Sequence, residues 1–304
     1  MNRSPSARPL RAATRASALA RCQTGIVAGL LAEAGGAVTE PVAVSTTGDR
    51  RTGTPIHAMG GKGVFVKEVQ AAVLDGRADI AVHSAKDLPS STPEGLVLAA
   101  VPRRGDPRDA LVGCRLAELP VGATVATGSV RRKAQLAHLR PDLNFAELRG
   151  NIATRLDLAA RFDAIVMASV ALQRLGLAPD VVDVLDPEVF VPQVGQGAIA
   201  VECRATDRET LTLLASIEHR PSRRAVDAER AFLAELGGDC DLPAGAHATN
   251  PGGGVELTGL LSSIDGSRLI RDTRGGRDPE TLGRAVARHL LDDRGGRELL
   301  EPPR

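Results

Sequence analysis

Six cations, Arg15, Lys86, Arg131, Arg132, Arg149 and Arg155, stand in or just after short turns that follow apolar runs. Guanidinium forks grip carboxylate or phosphate bidentately and keep their charge, so their repetition at equivalent turns points to a polyanionic ligand. Taken singly, Arg131, Arg132 and Arg155 also read as helix-surface charges in weak i,i+4 pairs. Asp87 is the acid best set for chemistry, since it follows the apolar run Asp79–His83 and has Lys86 beside it. A carboxylate there can stabilise a cation or shuttle a proton, and its commoner use is as a helix N-cap. His83, inside the run, reads as a hydrogen-bonded core histidine. Cys240 lies in Gly237-Gly238-Asp239-Cys240-Asp241, a turn where a thiol can act as a nucleophile, although two flanking aspartates disfavour the thiolate. Cys22, Cys114 and Cys203 have apolar neighbours and read as packing residues. Gly60-Gly61-Lys62-Gly63 invites a phosphate-loop reading, but Gly63 stands where Ser or Thr must follow the lysine and Ile56 where a glycine is needed. A mobile glycine loop carrying Lys62 over a cleft fits better.

These side chains need elements to hold them. Asp79–His83, Thr124–Thr127, Asn144–Leu148 and Ala164–Met167 read as strands, each followed by a polar or glycine turn. Helical spacing follows at Val130, Ala134 and Ala137, over Ile152–Ala160, and over Val170–Leu175. Alternating strand and helix implies open α/β sheets with ligands at the carboxyl ends of the strands, where helix N-termini favour anions. Pro102 to Pro107 breaks the chain, Ala198–Val201 reads as a strand returning to the first block, and a second break is expected near Pro221. Beyond it, Val226–Leu236 reads as a helix, Val255–Leu261 and Ser267–Arg271 as a hairpin around Asp265-Gly266, and Glu280–Leu291 as a helix begun by Asp278-Pro279. The expected organisation is an α/β domain of residues 8–102 with 198–219, a second of 106–195, and a small α+β domain of 222–304.

Composition narrows the function. Across 304 residues, 38 Lys and Arg against 37 Asp and Glu leave a formal charge of +1, too little for a global field that holds nucleic acid or an anionic membrane. With no Trp or Tyr and five Phe there is no aromatic stacking platform. The four cysteines form no C-x-x-C and the six histidines no H-x-x-x-H, so neither a metal site nor a disulfide framework is signalled. No apolar run approaches the ~20 residues of a membrane span, and no secretory stretch opens the chain, so a cytoplasmic protein is expected, and a monomer because no exposed apolar stripe demands a partner. Residues 1–32 hold five arginines and no acid, a composition that a transit peptide also shows.

Several of these stretches, in order, resemble the porphobilinogen deaminase (hydroxymethylbilane synthase) family. They are Thr14-Arg15-Ala16-Ser17, Gly60 to Glu68, Ala78 to Pro89, Gly128-Ser129-Val130-Arg131-Arg132, Leu148-Arg149-Gly150-Asn151, Val194-Gly195-Gln196-Gly197 and the Cys240 loop. The resemblance implies two α/β domains like those of periplasmic binding proteins plus a small α+β C-terminal domain. It implies a transferase of porphyrin and heme biosynthesis that condenses four porphobilinogen units head to tail, with loss of ammonia, into hydroxymethylbilane. It implies a dipyrromethane cofactor joined to Cys240 by a thioether, with porphobilinogen and the growing polypyrrole chain as partners. By matching position, Asp87 becomes the catalytic carboxylate. Cys240, Ser84, Lys86, Thr127, Ser129, Arg131, Arg132, Arg149, Gly150 and Arg155 become cofactor-binding, with support from Gly128 and Asn151. Arg15, Ser17, Lys62 and Gln196 become substrate-binding. The chain departs from the family pattern at Thr47, where arginine is expected, at Ala16 and Ala58 for lysines, at Gly128 for serine, and at Asp239 for glycine. A competing reading is a non-catalytic binder of small carboxylates on the same two-domain plan, which would not use Cys240.

Overall fold

A strand apolar at successive positions needs cover on both faces, and the sequence meets that need with helices on either side of each α/β sheet. The computed structural model describes residues 8–50, 63–238 and 242–300. The chain divides into two units, Met1–Arg104 with Ala198–Arg223 and Gly105–Gly197 with Arg224–Arg304.

The first unit opens with β1 (Leu10–Arg15), α1 (Ala18–Gly35), β2 (Thr39–Val44), α2 (Thr47–Arg50), α3 (Lys67–Leu74), β3 (Ile80–Ser84) and β4 (Leu96–Ala100). The second unit follows with β5 (Asp109–Val112), β6 (Thr124–Ala126), α4 (Val130–Leu139), β7 (Asn144–Ala146), α5 (Ile152–Ala159), β8 (Ala164–Ala168), α6 (Ser169–Leu175) and β9 (Val182–Val184). The chain then returns to the first sheet with β10 (Ile199–Arg204) and α7 (Arg208–Ala215). The two sheets repeat one plan. The first has the order β2-β1-β3-β10-β4 and the second β7-β6-β8-β5-β9, each with three parallel strands followed by an antiparallel one.

Period-two alternation explains the burial. Ala12, Ile80 and Val82 pack on Val27 and Leu31 of α1, whereas Ala13 and Ala81 pack on Val69, Ala72 and Val73 of α3. In the second sheet Val125 and Val166 join Leu136 on one face, and Ala126, Ile165 and Met167 join Leu172 on the other.

The remainder is α8 (Arg220–Glu235), the antiparallel meander β11 (Ala244–Thr249), β12 (Val255–Ser262) and β13 (Leu269–Gly276), then α9 (Pro279–Arg288), a π-helical turn over His289–Asp293, and α10 (Gly296–Leu300). Its core is Phe232, Leu257, Leu261, Val286 and Leu290.

The Pro221 break falls in the first turn of α8, where proline's missing N–H has no partner to lose, and the division between the two units comes just after it, at Arg223 and Arg224. Two element bounds are corrected. The second hairpin strand starts at Leu269, not Ser267, because the Ser267 amide and hydroxyl donate to Asp265 and hold that residue in the turn. The last long helix stops being α-helical at Arg288 rather than Leu291. From Leu10 onward, the arginine-bearing stretch that lacks acids is β1 and most of α1, with β1 paired on both sides.

Candidate active site

Because β2, β1 and β3 are parallel, their carboxyl ends share one edge of the first sheet. Arg15 ends β1, with its guanidinium 4.2 Å from the centroid of the Phe65 ring and Nη1 3.8 Å from Asp87 Oδ2. Ser17 caps α1, its hydroxyl oxygen accepting from the Ala20 amide at 3.3 Å. Ser84 ends β3 and exchanges hydrogen bonds with Gln23 of α1 at 2.8 and 3.1 Å. A single 3-10 turn, Ala85–Asp87, then pinned by the Ala85 amide donating to the Ala198 carbonyl, leaves Lys86 and Asp87 half-buried at the edge. Asp87 therefore caps no helix, and its carboxylate is aimed toward a guanidinium instead. One position earlier His83 is buried, with Nε2 3.2 Å from Glu202 Oε2, and Gln70 of α3 donates to both Glu202 oxygens.

The second sheet gathers its residues in the same way. Thr127 follows β6, is buried, and accepts from the Ser129 amide; Ser129 caps α4 through the Arg132 amide. Arg149 follows β7 and pairs loosely with Glu147 at 3.5 Å. Gly150 has φ 102° and its carbonyl accepts from Arg155 Nε at 2.9 Å, while Asn151 caps α5 through the Thr154 amide.

Arg131 and Arg132 are not the surface charges of the bland reading: both are buried on α4. Arg132 donates through Nε to Asp109 (2.9 Å), through Nη1 to the Val166 carbonyl (3.0 Å) and through Nη2 to Gln196 (3.4 Å). Arg131 Nη1 donates to the Val191 carbonyl (2.8 Å) and lies 2.7 Å from Asp109 Oδ2, while its Nε and Nη2 have no hydrogen-bond partner among the described residues. Gln196 is fully buried and donates to Asp109 and to the Pro107 carbonyl. Against the penalty of burial, the two guanidiniums hold the Asp109 carboxyl well below the usual carboxylate range. Asp109 was missed in the sequence; its signal is an acid opening a strand that is otherwise apolar.

Two departures have a local cause. A Cβ at Gly128 would stand 2.9 Å from the Leu148 carbonyl oxygen, so a serine needs the backbone to shift. Thr47 donates through its amide and hydroxyl to Glu68 Oε1, so its short side chain already has a partner on α3. Cys203 is buried, and desolvation pushes its thiol up to about 11; Cys22 and Cys114 are half-buried. Lys62, Ala58, Asp239 and Cys240 lie outside the described residues.

Residues 10–212 match the family model described as porphobilinogen deaminase, dipyromethane cofactor binding domain, and residues 224–292 match that of its C-terminal domain. The chain belongs to the porphobilinogen deaminase family. It is 48% identical over 295 residues to the porphobilinogen deaminase of Roseiflexus castenholzii, covering 94% of this chain and 97% of that one. It is 43% identical over 302 residues to that of Bacillus pumilus, covering 97% of each. Among solved structures, a periplasmic substrate-binding protein of an ABC transporter from Coxiella burnetii is 15% identical, with a TM-score of 0.42 over 73% of this chain and 96% of that one. That likeness is too slight to carry weight, and the α/β architecture rests on the strand orders themselves. Membership of the porphobilinogen deaminase family carries with it a transferase role in tetrapyrrole biosynthesis and a domain for the dipyrromethane group. The residues present fit such a carboxylate-bearing group, since Arg131 offers two buried donors that no atom of the described residues accepts.

Proposed function

We propose that the chain is a hydroxymethylbilane synthase, joining four porphobilinogen units head to tail with release of ammonia. The reading is carried by Asp87, a half-buried carboxylate at the end of β3, beside Lys86 and 3.8 Å from Arg15. Asp87 holds the positive charge that develops on the substrate pyrrole as its amino group leaves, and it accepts from the pyrrole N–H. Arg15, Ser17, Lys62 and Gln196 bind the acetate and propionate groups of the incoming unit. Ser84, Lys86, Thr127, Ser129, Arg131, Arg149, Gly150 and Arg155 hold the dipyrromethane, which supplies, when bound through Cys240, a covalent primer for the growing chain. Arg132 acts there through Arg131 and Gln196, because its own donors are already committed within the protein.

In this reading residues 8–102 with 198–219 and residues 106–195 are the two α/β domains, and 222–304 present the cysteine. The protein works as a cytoplasmic monomer with neither membrane nor nucleic acid as partner. No described helix is long and apolar enough to cross a membrane.

Intact mass spectrometry of the purified chain, as it stands and as Cys240→Ser, tests the reading. A covalent adduct of two pyrrole units that depends on Cys240 is expected. A folded native chain that acquires no adduct even after porphobilinogen is added would leave the carboxylate binder as the better description.

A further inference from the structure

The buried cluster on α4 carries more positive charge than the described residues neutralise. Two guanidiniums, Arg131 and Arg132, share one carboxylate, Asp109, so the cluster is left with a net charge of +1. All three side chains are more than nine-tenths buried. An unbalanced charge in that setting is expensive unless a ligand of opposite sign completes it. The hydrogen bonds and ion pairs show where the ligand must go. Asp109 engages Nε and Nη2 of Arg132 and Nη1 of Arg131. The Val166 carbonyl takes Arg132 Nη1 and the Val191 carbonyl takes Arg131 Nη1. Among the described residues only the Nε–Nη2 edge of Arg131 is left over, and that edge is the fork that receives a carboxylate bidentately. The Phe190 ring lies 5.6 Å from the Arg131 guanidinium carbon and restrains the plane of the fork.

We propose that Asp109 is a positioning residue that sets both the orientation and the charge of this cluster, so that it accepts one carboxylate and no more. Asp109 turns Arg131 by holding Nη1 and cancels the charge of Arg132, which serves as a fixed spacer fastened to β8 and Gln196. The inference rests on the proposed function only in taking that carboxylate to be one of the dipyrromethane's. Asp109 itself touches no substrate.

The test is the fraction of chains carrying the two-pyrrole adduct, read by intact mass on the full-length protein after incubation with porphobilinogen. Asp109→Asn keeps the shape and leaves two uncompensated guanidiniums, so the adduct-bearing fraction is expected to fall about tenfold or more. The double variant Asp109→Asn with Arg132→Gln restores the net charge of +1, and it is expected to regain most of the adduct. A residue that only fills space would not be rescued by removing a positive charge elsewhere. Wild-type adduct content in Asp109→Asn overturns the proposal, as does a double variant that fails to load. If Asp109→Asn does not fold, the double variant decides alone: folded and loaded supports the charge-setting role, and misfolded or unloaded overturns it. A wild-type chain that never acquires the adduct instead strikes the proposed function, which keeps the two failures apart.

Discussion

Asp87 and Cys203 show how the same fold exposes one ionisable group and seals another. The Asp87 carboxylate faces Arg15 at 3.8 Å with both side chains about a quarter exposed, a geometry that contributes less than about 1 kcal/mol to stability. Asp87→Asn is therefore expected to shift the melting temperature by no more than a few degrees while lowering turnover about a hundredfold or more, as removal of a charge-stabilising group does. Parallel measurement of kcat and Tm checks this, and unchanged turnover would remove Asp87 from the mechanism. Cys203 behaves oppositely. Its thiol is raised from 9.0 to about 11 by burial, so the folded chain holds that proton more tightly than the unfolded one. The associated stability is fully present below pH 9 and is lost as pH rises through about 11. Alkylation of the native protein at pH 8 should accordingly modify half-buried Cys22 and Cys114 well before Cys203, as peptide mapping would reveal.

Among the elements, β3 and β10 carry an anomaly in an otherwise apolar sheet. His83 and Glu202 are buried next to each other on the α3 side, where Gln70 completes the carboxylate's contacts. Glu202→Leu would leave the polar groups of His83 and Gln70 without that partner, at an expected loss of about 3 kcal/mol in urea unfolding. A loss below about 1 kcal/mol would mean that the core repacks around leucine. The β12–β13 hairpin is held to α4 by an equally specific contact. Gly266 has φ 77°, its carbonyl is 3.2 Å from His138 Nδ1, and a Cβ there would stand 2.3 Å from the Ala134 carbonyl oxygen. Gly266→Val combines a strained backbone with a clash and should cost about 2–4 kcal/mol, measurable by the same unfolding assay. Strand and helix periodicity was legible in both elements. Neither the Gly266 contact nor the Glu202 partnership was, since each depends on residues more than a hundred positions away.

For the whole molecule, the first sheet is assembled from both ends of a long excursion, because β10 returns between β3 and β4 after the entire second sheet has been made. β1 lies inside that sheet, between β2 and β3. A chain lacking residues 1–32 would lose β1 and most of α1, and with them Ala12, Ala13, Val27 and Leu31 of the core. Such a chain should yield no cooperatively folding protein, as far-UV circular dichroism and thermal melting of any soluble fraction would test. Cooperative melting at the wild-type temperature would instead show that the segment is dispensable.

The sequence by itself determined which residue types meet at the strand ends, because apolar runs, turn residues and helix spacing are local patterns that set local structure. It also carried the family, through long motifs in fixed order. Tertiary structure decided what those residues are free to do. Arg131 and Arg132 are adjacent and chemically identical, yet one has a partner at each of its three nitrogens and the other keeps an open fork, a difference made by Asp109, Val166, Val191 and Gln196 from three other stretches of chain. Burial and partner geometry are set by packing between segments distant in sequence, and no periodicity along the chain records them.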